Sequence, residues 1–248
     1  MSNSESHEWL KSGDRKSEFA TLVLSNNFQF MWKKGFFKVC VATIIYAVIH
    51  SALASRKAKQ TAQNLIGPRY RNALYRPFYL VQSVLTIIPL VVYIRRQPGK
   101  TLYNIRGIAA IPFRLLQLGG IFWAVYAAYE VRMPEILGIR PLRQLLSQEE
   151  CIVPVPEAQG PALGQDNTLR IAGPFRLSRH PLNFAPLVIL WLNPRQTTNL
   201  AAYNAVSTIY LVIGSWHEEL RLRAAYGDLY REYEEGPVPF YIPKLRRG

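Results

Sequence analysis

The stretch PLNFAPLVILWLNP, residues 181–194, runs directly into RQTTNLAAYNAVSTIYLVIGSW, residues 195–216. The only charge in either segment is Arg195, at their junction. The first segment has 14 residues, too few for a bilayer core, which takes roughly 20 mostly apolar residues in a helix and at least about 17. The second is long enough. Asn193-Pro194-Arg195 carries turn chemistry between them. Together they read as a helical hairpin whose ends, at Pro181 and Trp216, return to one face.

Outward from this hairpin the same pattern repeats. Phe36 to Ala54 carries one charge, Lys38, near its start; Pro77 to Ile94 carries none; Ile108 to Tyr129 carries only Arg114, placed where a long side chain snorkels to the interface. The expectation is an all-α, multi-span helical membrane protein with about five transmembrane helices, a C-terminal helical hairpin and a cytoplasmic helical tail. Residues 1–35 form a polar tail, 36–129 the N-terminal membrane helices, and 130–248 a C-terminal region that carries the chemistry. A chain of 248 residues is too short to bury five such segments in a soluble core without amphipathic partner helices. The first 35 residues are polar and mixed in charge, so the first span is expected to act as its own insertion signal.

The net charge is +14. No nucleic-acid motif accompanies it, and basic residues flanking spans and facing membrane lipids account for it better. Eighteen of the 30 Lys and Arg lie in Arg56–Arg76, Arg132–Arg179 and the tail after Trp216. That bias predicts a cytoplasmic C-terminal face. Cys40 and Cys151 have no metal-ligand spacing, and no metal site is expected.

Four features carry candidate chemistry. Gly173-Pro174-Phe175-Arg176-Leu177-Ser178-Arg179-His180-Pro181 makes a tight approach to a helix that Pro181 starts. Its Arg179 and His180 either anchor the interface or grip an anionic ligand. Glu218-Glu219 follow the last span. Adjacent side chains on a helix point about 100° apart, so one acid faces a site while the other pairs with an arginine, or both pair along the helix with Arg221 and Arg223. A site acid suits ribose hydroxyls or an ammonium group. His50, near the end of the first apolar block, is either functional or hydrogen-bonded to a neighbouring helix. The tail, Tyr226-Gly227-Asp228-Leu229-Tyr230, then Tyr233 and Val238-Pro239-Phe240-Tyr241-Ile242-Pro243, either caps the site or forms an interfacial aromatic belt.

The order Gly173–Phe175, Arg179-His180-Pro181, helical hairpin, Glu218-Glu219, Gly227-Tyr230-Tyr233, Ile242-Pro243 resembles a membrane family. It contains the isoprenylcysteine carboxyl methyltransferases, phospholipid methyltransferases and methanethiol S-methyltransferases. Ile49-His50-Ser51 and Tyr70–Tyr75 look closest to the methanethiol methyltransferases and to NnrU-like members. The resemblance implies a methyltransferase using S-adenosylmethionine. Asn167, Thr168, Leu169, Arg170, Phe175, Arg179, His180, Pro181, Asn183, Glu218 and Glu219 are then the candidate cofactor-binding residues, with His180 as the candidate catalytic base. Two departures bear on the acceptor. Asn183 stands where the family often has Tyr, and Gly214-Ser215 stand where a carboxylate-binding Arg is expected. They favour a small thiol or a lipid as substrate. The NnrU-like side of the resemblance keeps a haem-binding isomerase as an alternative, with His50 and His180 as candidate axial ligands, beside a non-catalytic membrane protein.

Overall fold

The computed structural model describes residues 31–131, 134, 137–152, 156–164 and 166–244. Most of the expected N-terminal tail, residues 1–30, lies outside the described residues.

The chain is mostly helical. Helix α1 is Met31–Ala54. Ser55 then caps α2, Arg56–Arg96, with its hydroxyl accepting from Ala58 N–H. Gly67, at φ 80° and ψ 161°, breaks α2 into 56–66 and 68–96, so Arg69, Arg71 and Arg76 share a rod with the apolar span. A 3₁₀ turn, Gly107–Ala110, leads into α3, Ile111–Glu130. Helix α4 is Ile139–Leu146. Helix α5, Pro181–Trp191, and α6, Thr198–Tyr226, form the expected hairpin, and α7, Asp228–Glu235, follows.

Among the described residues, three helical stretches, Met31–Ala54, Arg56–Arg96 and Gly107–Glu130, are long and apolar enough to cross a membrane. Their apolar faces point outward: Ile45, Val48, Val84, Leu85, Leu115 and Phe122 are all more than half exposed. So large an exposed apolar surface marks a face made for lipid or for protein. Helix α5, at 11 residues, is too short to span. It instead packs on α3 at Gly120, where an added Cβ would lie 3.1 Å from Ile189. Trp123 Nε1 donates to the Pro181 carbonyl at 3.0 Å, and Gln117 Nε2 to that of Ile189 at 2.7 Å.

The all-α expectation needs one correction. Strand β1, Thr101–Asn104, pairs antiparallel with β4, Arg195–Thr197, at the turn of the hairpin. Strands β2, Ala162–Leu163, and β3, Leu169–Arg170, make a second short ladder. Both lie in connections, where backbone groups without helical partners pair with each other. The β1–β4 ribbon ties the α2–α3 connection to the α5–α6 turn. Beside it, Asn199 Nδ2 donates to the Gln97 carbonyl at 2.9 Å, and Val39, Leu90, Ile94 and Ala202 form a small core. At the other end, Leu222, Tyr230 and Tyr233 form a second core.

Candidate functional site

The approach to α5 is set by Gly173. Its φ is +52°, and a Cβ there would lie 2.8 Å from the Tyr126 ring. The 3₁₀ turn Gly173–Arg176 then buries Pro174 and Phe175. Ser178 Oγ donates to the Tyr241 carbonyl at 2.7 Å, and the His180 N–H donates to Ser178 Oγ at 3.2 Å.

The tail takes the capping arrangement. Backbone N–H groups of Arg179 and Lys244 donate to the carbonyls of Pro239 and Leu177, so residues 239–244 run back along the approach. Tyr233 Oη donates to the Phe175 carbonyl at 2.6 Å and Tyr241 Oη to the Asn183 carbonyl at 2.7 Å. Phe240 packs edge-on against His180, centroids 4.9 Å apart, and under the Arg179 guanidinium at 5.7 Å. Burial raises the phenol pKa of Tyr241 to about 12, so it stays a donor.

Of the paired acids, Glu219 is buried. Its Oε1 accepts from Arg179 Nε at 2.8 Å and lies 3.2 Å from His180 Nε2. Its Oε2 lies 3.7 Å from Arg223, one helical turn on. Burial pushes its carboxyl pKa up, but His180 and Arg179 outweigh that and hold it low. Arg179 is further fixed on the carbonyls of Glu234 and Val238. Glu218 faces the other way. Its Oε2 accepts from Asn183 Nδ2 at 2.9 Å, and the same amide donates to Ser215 Oγ at 2.9 Å.

His180 sits between the two acids and is 2% exposed. Burial lowers its pKa, but the two carboxylates more than offset that, and the net shift is upward. Its Nδ1 is buried without a hydrogen-bond partner and lies 3.6 Å from Glu218 Oε2, beyond hydrogen-bond length. His180, Phe175, Arg179, Pro181, Asn183 and Glu218 line one small cleft.

Glu218 and Asn183 also border a cavity of about 1180 Å³. One wall is a stripe of α6, Tyr210, Gly214, His217, Glu218 and Arg221, at helical spacing. The long connection supplies another through Pro156–Gly160. Glu157 pins that connection to α2 by ion pairs with Lys59 and with Arg71, the latter at 2.6 Å. Helices α1 and α2 complete the cavity with His50, Ser51, Tyr79 and Ser83.

The predicted stretch Asn167–Arg170 falls elsewhere. It forms the turn and second strand of the β2–β3 ladder, with Asn167 at φ +60°, Thr168 bonded to Asp166 and Leu169 packed on the Tyr230 core. The partner strand, Ala162–Leu163, is the one that borders the cavity. His50 has both ring nitrogens engaged, Nε2 with Tyr79 Oη and Nδ1 with Ser83 Oγ at 3.1 Å. Neither is open to a haem iron, so this geometry does not fit an axial ligand. The sequence reading missed Tyr79, Ser83, Tyr210 and Glu157. Only Tyr210 carried a signal, its helical spacing from Glu218.

The sequence is similar to three curated methanethiol S-methyltransferases. It is 26% identical to that of Pseudomonas deceptionensis, over 82% of this chain and 71% of the relative. It is 26% identical to that of Crocosphaera subtropica over 80% and 71%. It is 24% identical to that of a Pseudomonas species, strain GM41(2012), over 86% and 75%. No protein-family profile and no solved structure matches the chain.

Proposed function

We propose that this chain, which bears out its resemblance to the isoprenylcysteine carboxyl methyltransferase-like family on the methanethiol S-methyltransferase side, is an integral-membrane, S-adenosylmethionine-dependent methyltransferase. Its acceptor is a small thiol or a lipid-soluble molecule, and the relatives' names favour the thiol. The α5–α6 hairpin enters the membrane beside the three long helices, with its open end toward the cytoplasm.

The observation that carries this reading is the position of Glu218, which borders the cavity and stands 3.6 Å from His180 Nδ1, a buried atom without a hydrogen-bond partner. A buried polar atom without a partner costs free energy on the order of 1–3 kcal/mol, which a bound polar ligand relieves. Glu218 is the acid left to accept from ribose hydroxyls or an ammonium group, since Glu219 is committed to Arg179. Asn183 and Ser215 aim the Glu218 carboxylate. Phe175 lines the cleft with apolar surface, Phe240 packs against His180, and Arg179 holds the tail through the Glu234 and Val238 carbonyls. The cofactor supplies an electrophilic methyl on a sulfonium, so the protein mainly orients and desolvates the reactants.

Titration calorimetry with S-adenosylhomocysteine tests the reading. Saturable binding that Glu218→Gln weakens supports it. No binding by monodisperse, helical protein rejects it.

A further inference from the structure

The cavity has a second polar group that the cofactor reading does not use, within the membrane-spanning helices. His50 lies among Tyr46 of α1, Tyr79 of α2 and Tyr210 of α6, with ring centroids 5.6, 4.7 and 6.1 Å away. Ser51 Oγ is 3.4 Å from Tyr210 Oη. Arg76 of α2 and, on α6, Arg221 and Glu218 are charged groups whose fields reach this cluster. His50, Ser51, Tyr79, Ser83 and Tyr210 all border the same cavity as Glu218. On α6, Tyr210 precedes Glu218 by eight residues, a rise of about 12 Å, so this cluster lies deeper than the acid.

The hydrogen bonds assign the protons. Ser83 has one hydroxyl proton, and it goes to the Tyr79 carbonyl at 2.6 Å. Toward His50 Nδ1, at 3.1 Å, Ser83 Oγ is therefore the acceptor, and Nδ1 carries the hydrogen. In a neutral imidazole Nε2 is then the lone-pair nitrogen, and it accepts from Tyr79 Oη. A serine orients a histidine, and the histidine holds the hydroxyl of Tyr79, a residue that borders the cavity. This is the arrangement of an oriented base behind a proton-bearing oxygen.

We propose that this end of the cavity is the acceptor subsite for a small thiol, and that Tyr79 backed by His50 takes the thiol proton. The inference rests on the methyltransferase reading. Thiols attack as thiolates, and an unperturbed thiol has a pKa of about 8.5, so a neutral thiol in an apolar pocket needs a base. Three tyrosine rings around the cluster suit a polarisable sulfur. In the step, the S–H bond breaks and its electron pair stays on the acceptor sulfur. That sulfur forms a bond to the methyl carbon, while the pair of the old C–S bond stays with the donor sulfonium sulfur. The thiol proton passes to Tyr79 Oη as the phenol proton passes to His50 Nε2. The resulting imidazolium, held through Nδ1–H by Ser83, releases its proton to water when product leaves.

The test compares wild type, Tyr79→Phe and His50→Gln in membranes or detergent. Methyl transfer is measured to an alkanethiol and to an arylthiol already ionised at the assay pH, and S-adenosylhomocysteine binding is titrated in parallel. General-base loss lowers kcat by roughly 10²–10⁴-fold. The expected result is such a loss with the alkanethiol, a loss of less than about tenfold with the arylthiol, and unchanged cofactor-analogue affinity. Equal losses with both thiols, or wild-type rates in Tyr79→Phe, overturn the inference. Wild-type protein that binds the analogue but methylates no thiol overturns it while leaving the cofactor site standing. Wild-type protein that binds no analogue overturns both.

Discussion

Glu218 and Glu219 are neighbours in sequence with opposite surroundings. Glu218 borders the cavity and accepts from Asn183, whereas Glu219 is 2% exposed and ion-paired to Arg179 at 2.8 Å. The 100° step of a helix separates them. One acid is left facing the cavity because the other is consumed in holding the approach, the tail and His180 together.

The two acids are therefore expected to fail differently. Glu219→Ala leaves Arg179, whose side chain is only 11% exposed, without its counter-charge, a loss approaching the about 3–5 kcal/mol of a broken buried pair. Thermal unfolding in detergent should show a large fall in Tm. Glu218→Gln should leave Tm nearly unchanged and weaken S-adenosylhomocysteine about 10–100-fold, as for a lost hydrogen bond to a charged group. Equal Tm losses in the two variants contradict this assignment.

Stability should also respond to pH through His180 and Glu219. The raised His180 pKa gives a contribution that is complete below the ordinary imidazole value of about 6.5 and is lost as pH rises through the raised one. The lowered Glu219 pKa gives one that is present above the ordinary carboxylate range and lost as pH falls through the depressed value. The groups facing His180 are Glu218, Glu219 and, through Phe240, Arg179. His180→Gln should flatten the alkaline side of a Tm–pH profile and leave an acid-side loss. Superimposable profiles would refute it.

Gly214 gives a graded test of the cavity. It borders the cavity, and an added Cβ meets nothing within 4 Å. Gly214→Ala should stabilise the helix by about 0.5–1 kcal/mol with little effect on binding. Gly214→Leu should project into the cavity and cut binding of cofactor analogue or acceptor at least tenfold. A leucine variant that binds both normally would show that this wall is unused.

The basic residues predict the orientation. A reporter fused after Gly248 should be active on the cytoplasmic side of the membrane. Activity only on the far side would reverse the proposed topology.

The sequence exposed what depends on blocks and local order. The apolar blocks mark the helices because lipid-facing rods need no polar face, and Arg179-His180-Pro181 with Glu218-Glu219 mark the mouth because the hairpin turn at Asn193-Pro194 returns the chain. The sequence left open which acid faces inward, since that depends on the rotation of α6 against α5. It did not show Tyr79 or Ser83 either. They meet His50 across two helices, 29 and 33 residues on, at a spacing no local period encodes. The β1–β4 ribbon was equally hidden, because Thr101 and Thr197 pair from far apart in the sequence.

That ribbon has a mechanical consequence. Thr198 is held at it, and Glu218 stands about 30 Å away along a single helix. Over such a lever arm, a tilt of about 2° displaces the carboxylate by roughly 1 Å, a misplacement able to cost about a hundredfold in rate. The register of two short strands at the far end therefore sets where the Glu218 carboxylate stands, and loosening Gln196 or Asn199 should be felt at a position neither residue touches.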